Sequence, residues 1–304
     1  RAAELDVATS ENDIEETITQ TYVQILYAAE SVKVNESTLA LSQAQYERGK
    51  ELFAAGSISK ADLAQLEAQV STDRYQLVTA QSSLQDYKLQ LKQLLELDGE
   101  EEMNLYLPTL EDSNVLSPLP TKTDVYQAAL ALRPEIESSR LNVQASELNI
   151  DIARAGYMPS ISLSAGIGTT NTSGSDYTFA QQVKNGWNNS IGVSVSVPIF
   201  NNRQTKSAVQ KAKLQRETSM LNLLDEQKNL YKAIEGLWLD ANTAQQRYVA
   251  AQEKLRSTQT SYELVSEQFN MGMKNTVELL TEKNNLLQAQ QEQLQAKYMA
   301  ILNT

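Results

Sequence analysis

Two stretches of this chain, Ser160–Gly168 and Ser190–Phe200, alternate strictly between apolar and very small polar residues, and the rest of the sequence runs on helical spacing. In the first, Ile161, Leu163, Ala165 and Ile167 fall on one face, and Ser160, Ser162, Ser164, Gly166 and Gly168 on the other. In the second, Ile191, Val193, Val195, Val197 and Ile199 alternate with Ser190, Gly192, Ser194, Ser196 and Pro198. A period of two is the mark of a β-strand whose faces meet different surroundings. Strands of roughly ten residues have the length a tilted transmembrane barrel strand needs. The competing reading is a half-buried hairpin on a soluble domain. A lone two-stranded hairpin is marginal in water, and a water-facing side would be expected to carry charge, which neither stretch does. Ile161, Leu163, Ile167, Ile191, Val193, Val195 and Val197 are therefore expected to face lipid, with the Ser and Gly side lining a wet lumen. Tyr157, Tyr177, Phe179 and Trp187, near the strand ends, are candidates for an interfacial aromatic girdle.

Helical spacing governs the remainder. Ile18, Tyr22, Ile25, Ala28, Val32, Leu39, Ser42, Tyr46 and Phe53 recur at close to the heptad half-step of a left-handed coiled coil. After a break at Ala55-Gly56-Ser57, Leu63, Val70, Leu77, Leu84 and Leu91 stand seven apart, with Leu66, Ala80, Tyr87 and Leu94 in the half-steps. The two segments predict a long antiparallel hairpin. Asp98-Gly99 is expected to end its second helix, and Pro108, Pro118 and Pro120 to mark an irregular connection. Helix is expected to resume at Asp124, acting as its cap, to be interrupted before Pro134, and to run again to about Ala155. Asn171–Asn189 is polar and suits a long loop. A very long helix is predicted from about residue 203 to Asn270, then a break at Gly272 and a last helix with Leu280, Leu287, Leu294 and Ile301 seven apart.

The hairpins are related by a constant offset of 216 residues, from Gly56 to Gly272. That offset pairs Ile18 with Ile234, Ala28 with Ala244, Leu39 with Leu255, Tyr46 with Tyr262 and Phe53 with Phe269. A duplicated helical-hairpin unit follows. The predicted order is a first helical hairpin (1–98), a connection (99–121), short helices (122–157), a β-hairpin (158–200) and a second helical hairpin (201–304). The fold class is mainly α, with long antiparallel coiled-coil hairpins and one β-hairpin.

Composition narrows the chemistry. A net charge of −12 without a basic run argues against nucleic acid as a partner, since phosphate recognition needs clustered Lys and Arg. With no Cys and no His, zinc sites of the usual kind, Cys–His pairs and Ser-His-Asp triads are excluded, and the acidic residues do not cluster as a paired-carboxylate enzyme requires. No metal, cofactor or catalytic residue is expected. Apolar runs fall short of the ~18 residues that a membrane-spanning helix needs. A start at Arg1 reads as a processed or trimmed product.

Three stretches carry a family resemblance. They are Leu132-Arg133-Pro134-Glu135-Ile136 with the helix ending Ala153-Arg154-Ala155-Gly156-Tyr157-Met158-Pro159; Ser190 to Asn201 leading straight into a helix; and each Gly turn followed by an acid and a Leu, Asp62-Leu63 and Glu278-Leu279. In these the chain resembles the TolC-like outer-membrane efflux factors, as a fragment lacking the N-terminal helices and the first strand pair. The resemblance implies a homotrimer whose strands share one barrel in outer-membrane lipid and whose helices form a tunnel across the periplasm of a Gram-negative bacterium. It implies a periplasmic adaptor and an inner-membrane pump as partners, in a tripartite efflux or type I secretion system. A soluble periplasmic coiled-coil scaffold or adaptor is the alternative.

On the same basis Asp62, Lys274 and Glu278 are expected at the entrance gate, with Lys274 bridging to Asp62 in the shut state. The plain alternative for the two acids is helix-start residues complementing the macrodipole, and both readings are compatible. Thr281 and Gln65 stand where the family carries a second acid, which weakens the charge ring. The tips Ala55, Gly56, Ser57, Met271, Gly272 and Met273 match the adaptor-docking turns; Gly there also simply supplies a positive φ. The two Met residues suit a flexible apolar contact better than a soft-metal site.

Overall fold

The computed structural model describes residues 2–97, 105–106, 108 and 115–304. Its elements in chain order are α1 (Ala2–Ala54), α2 (Lys60–Leu94), α3 (Lys122–Leu132), α4 (Pro134–Ala155), β1 (Ser160–Gly168), α5 (Phe179–Asn185), β2 (Asn188–Ser196), α6 (Gln204–Asn270) and α7 (Thr276–Asn303). The mainly helical class with a single described β-hairpin is as the periodicity predicts. Packing groups the elements into two units, one formed by Glu135–Lys228 with Ala2 and Ala3 and the other by Glu4–Pro134 with Asn229–Thr304.

The second unit holds the helical hairpins, α1 with α2 and the later part of α6 with α7. Its apolar contacts come in separate clusters along the helices, as expected for coiled helices too thin to share one core. Val23 and Leu26 of α1 pack on Leu294 and Tyr298 of α7, where the Tyr27 and Tyr298 rings meet edge to face at 6.2 Å. Tyr262 and Phe269 of α6 pack on Leu279 and Leu286 of α7, with Leu41 and Leu52 of α1 against them. The buried stripe of α1 includes Thr21, Ala28, Asn35, Ser42 and Gly49, seven apart and all small or polar. Gly49 has a steric reason: a Cβ there would stand 2.5 Å from Leu66 Cδ1.

Two seam positions and one helix end differ from the sequence expectation. Phe53 is 42% exposed, while its repeat partner Phe269 is buried in the cluster with Tyr262, Leu279 and Leu286, against which Leu52 of α1 packs. On α7 the seam starts through Thr276, Leu279, Lys283 and Leu286, so Leu279 is buried and Leu280 only half-buried. α2 ends at Leu94, earlier than Asp98-Gly99, because Glu96 takes the left-handed conformation (φ 52°) and Leu97 N–H bonds the Lys92 carbonyl at 3.0 Å. Asp98-Gly99 themselves and most of the connection lie outside the described residues.

The described end of the connection is held by α6 side chains that satisfy its irregular backbone. Gln245 Nε2 donates to the carbonyls of Val115 (3.1 Å) and Ser117 (2.8 Å), and Trp238 Nε1 to that of Pro120 (3.0 Å). Thr121, not Asp124, caps α3, its hydroxyl accepting the Asp124 N–H at 3.3 Å.

In the first unit, α4 and the early part of α6 are joined by Ser146 Oγ to Ser219 Oγ (2.8 Å) and by Arg216 to Glu147 (2.9 Å). β1 and β2 pair antiparallel with Ile161 opposite Val195, Leu163 opposite Val193 and Ala165 opposite Ile191, so the apolar faces coincide. A one-residue slip would break that match. β2 stops at Ser196, leaving Val197 outside the strand, since Pro198 has no N–H to continue a ladder. The expected loop contains α5, stabilised by a capping box between Thr178 and Gln181 and by Gln182, which accepts the Thr172 N–H and donates to the Tyr177 carbonyl.

Candidate functional site

The helical tips repeat one local design. At the end of α1, Gly56 has φ 74°, its N–H bonds the Phe53 carbonyl (2.9 Å) and the Ser57 N–H bonds that of Leu52 (2.8 Å). At the end of α6, Gly272 has φ 74°, with Gly272 N–H on Phe269 (2.9 Å) and Met273 N–H on Gln268 (2.8 Å). Both are Schellman ends, in which only Gly takes the left-handed position without a steric penalty. Each is followed by a capping box. Ser59 Oγ accepts the Asp62 N–H (3.1 Å) while Asp62 Oδ2 accepts the Ser59 N–H (3.0 Å) and hydroxyl (2.6 Å). Asn275 Oδ1 accepts the Glu278 N–H (2.9 Å) and Glu278 Oε2 the Asn275 N–H (3.2 Å).

A groove of about 630 Å³ brings the tips together, with Gly56, Ser57 and Asp62 on one side and Gly272, Met273, Lys274 and Glu278 on the other. Ala55 and Met271 do not line it; Met271 is exposed. Lys274 Nζ pairs with Glu278 Oε1 at 2.5 Å, within its own tip. In place of the expected bridge to Asp62, Lys274, just before the Asn275 cap, pairs with the Glu278 carboxylate in the first turn of its own helix.

These contacts tune the acids. The Ser59 hydroxyl, then its backbone N–H, hold the Asp62 carboxyl below the usual range. Lys274, then the Asn275 N–H, do the same for Glu278. Both side chains stay ionised at neutral pH, so the tips offer two fixed negative charges and one ammonium around an open groove.

The β-hairpin is the other expected site. Ile161, Leu163, Ile167, Ile191, Val193, Val195 and Val197 are each at least 59% exposed. Ser160 faces Ser196, Ser162 faces Ser194 and Ser164 faces Gly192 on the opposite side. Tyr157, Tyr177, Phe179 and Trp187 are also exposed. Among the described residues no helix is long and apolar enough to cross a membrane, and no cluster of three or more Asp or Glu is placed to hold a metal ion.

One polar group is only partly visible in the sequence reading, which places Ser42 on the α1 seam but not the charges it meets. Ser42 of α1, Asp73 of α2 and Lys283 of α7 are mutually hydrogen-bonded and each at most 2% exposed. Gln69 Nε2 donates to the second Asp73 oxygen at 2.9 Å. Its sequence signal is a gap: Asp73 is the missing half-step between Leu66 and Ala80.

Comparison with known proteins places this architecture. The family described as outer membrane efflux protein matches residues 125–302. The chain is 24% identical over 319 residues to outer membrane protein TolC of Escherichia coli K12, covering all of this chain and 62% of TolC. It is 23% identical over 283 residues to the alkaline protease secretion protein AprF of Pseudomonas aeruginosa, covering 92% of this chain and 57% of AprF. The crystal structure of the transmembrane channel protein CusC superposes with a TM-score of 0.81 at 21% identity, over 99% of this chain and 68% of that one. At that identity the likeness shows the fold. The chain spans less than two thirds of the length of TolC or AprF.

Proposed function

This chain belongs to the outer membrane efflux protein family, and from that premise we propose that it is part of a passive export duct crossing the outer membrane and periplasm of a Gram-negative bacterium. In this reading the complete protein is a homotrimer and the channel component of a tripartite efflux or type I secretion system. A periplasmic adaptor and an inner-membrane pump are its partners. The observation that carries the reading is the β-hairpin: one face is apolar and exposed, the other is Ser and Gly, and neither bears a charge. Water disfavours such a hairpin, whereas a lipid-facing barrel with a wet lumen needs that division. The curated relatives carry names as different as alkaline protease secretion protein and cation efflux system protein, which supports a duct whose cargo is selected elsewhere.

Within that duct the tips form the periplasmic entrance. Three copies of Asp62 and Glu278 would make rings of carboxylate that concentrate cations by focusing the field. Ala55, Gly56, Ser57, Met271, Gly272 and Met273 would meet the adaptor. The intact parent protein in a planar bilayer is the test. It is expected to conduct ions, and Asp62→Ala with Glu278→Ala to weaken block by multivalent cations. Absence of conductance overturns the duct; unchanged block in the double variant overturns the ring alone.

A further inference from the structure

A coiled-coil seam built on Leu and Ala spaced seven apart does not by itself fix how far one hairpin is pushed along the other. A shift of one heptad, about 10 Å at 1.5 Å per residue, again sets apolar groups against apolar groups. Here Leu66, Ala80 and Tyr87 on α2 and Leu279 and Leu286 on α7 recur at multiples of seven. Charged groups break the degeneracy, because a buried ammonium or carboxylate without its partner is far more costly than a mismatched methyl.

We propose that Ser42, Asp73 and Lys283 form a register lock that fixes the first helical hairpin against the second, and so sets the level of the Gly56 tip relative to the Gly272 tip. Lys283 Nζ of α7 donates to Asp73 Oδ2 of α2 and to Ser42 Oγ of α1, and the Ser42 hydroxyl donates to the same Asp73 oxygen. Gln69 fills the remaining carboxylate oxygen, and its amide also reaches Asn284 Oδ1 of α7 at 3.4 Å. The tie therefore joins three helices from both hairpins, with both oxygens of the acid occupied.

Two observations argue that the cluster positions rather than reacts. Ser42, Asp73 and Lys283 are each at most 2% exposed, so the cluster is sealed inside the helical seam. The duplication does not repeat it either: the 216-residue offset puts Thr258, Ala289 and exposed Glu67 at the matching places. A buried, asymmetric charged tie defines one alignment, as a polar residue at a core position does in simpler coiled coils. The lock concerns helix register and does not rest on what passes through the molecule.

The chain has no cysteine, so Ser57→Cys and Met273→Cys give two unique spin-label sites at the tips of the full chain. With the lock intact, pulsed electron spin measurements are expected to give one narrow tip-to-tip distance distribution. Lys283→Met alone should lower Tm by roughly 10 °C, since it strands a buried carboxylate. The decisive variant is Asp73→Leu with Lys283→Met, which keeps the seam apolar and folded. It is expected to keep or raise Tm yet to show a second distance population displaced by about one heptad. A single, unshifted distribution in that double variant overturns the proposal.

Discussion

At Asp62 and Glu278 one carboxylate closes a capping box and at the same time places a charge at a helical tip. Because both carboxyls titrate below their ordinary range in the folded chain, they bind protons less readily than in the unfolded one. Their stabilisation is therefore fully present above the unfolded carboxylate value of about 4, and is lost as pH falls through the folded values. Backbone amides at the starts of α2 and α7 should lose protection from hydrogen exchange below about pH 4, before the helix interiors do. Ser59→Ala should cost about 1 kcal/mol through loss of the cap, read from denaturant unfolding, and should raise the Asp62 carboxyl titration seen by NMR. Lys274→Ala separates the two possible pairings: the carboxyl titration of Glu278 should rise and that of Asp62 stay put. A rise at Asp62 would restore the cross-tip bridge. Spacing made both acids visible, but not which one Lys274 meets. Each is an N3 residue of a similar helix start, and only folded geometry separates a neighbour four residues on from one on another helix.

The helices and strands follow closely from periodicity, because their signals are repeated many times over. β1 occupies the stretch read from alternation, and both tips fall at the Gly residues that pair under the 216-residue offset. What eluded the pattern was decided by single contacts. α5 is too short for a heptad to register, and its stability comes from Gln181 and Gln182 folding back on nearby backbone. Glu96 ends α2 in a conformation that favours Gly, so no residue type announced the turn. Asp73 and Lys283 sit in seams where an apolar template passes over charges. At this scale Gly56→Ala and Gly272→Ala are each expected to cost about 1–2 kcal/mol, since a Cβ at φ 74° is strained although the space around it is open. Equal costs, measured by thermal or denaturant unfolding, would show that the two tips are energetically the same motif. On the strands, Val193→Lys should reduce recovery of the parent protein in membranes far more than Ser194→Lys, because only the first puts a charge on the face proposed to meet lipid.

For the chain as a whole, burial and exposed apolar surface fall in different places. The apolar clusters lie in the unit formed by Glu4–Pro134 with Asn229–Thr304, whereas β1 and β2 have no buried residue. The stability of the helical hairpins is thus set by contacts in which the strands take no part. The antiparallel register also brings Ser160 directly opposite Ser196, so the chain enters and leaves the hairpin at neighbouring points. Replacing residues 160–196 by a short Gly-Ser turn therefore asks little rearrangement of α4 and α6. The expected outcome is a chain that keeps its helical circular dichroism and unfolds within about 3 °C of the original. That chain should partition far less into outer-membrane vesicles, because both paired strands with their exposed apolar face are gone. A large loss of helix stability would place the strands within the cooperative core; retained partitioning would move the membrane contact to the helices. The two readouts are independent, since apolar burial sustains one and apolar exposure the other.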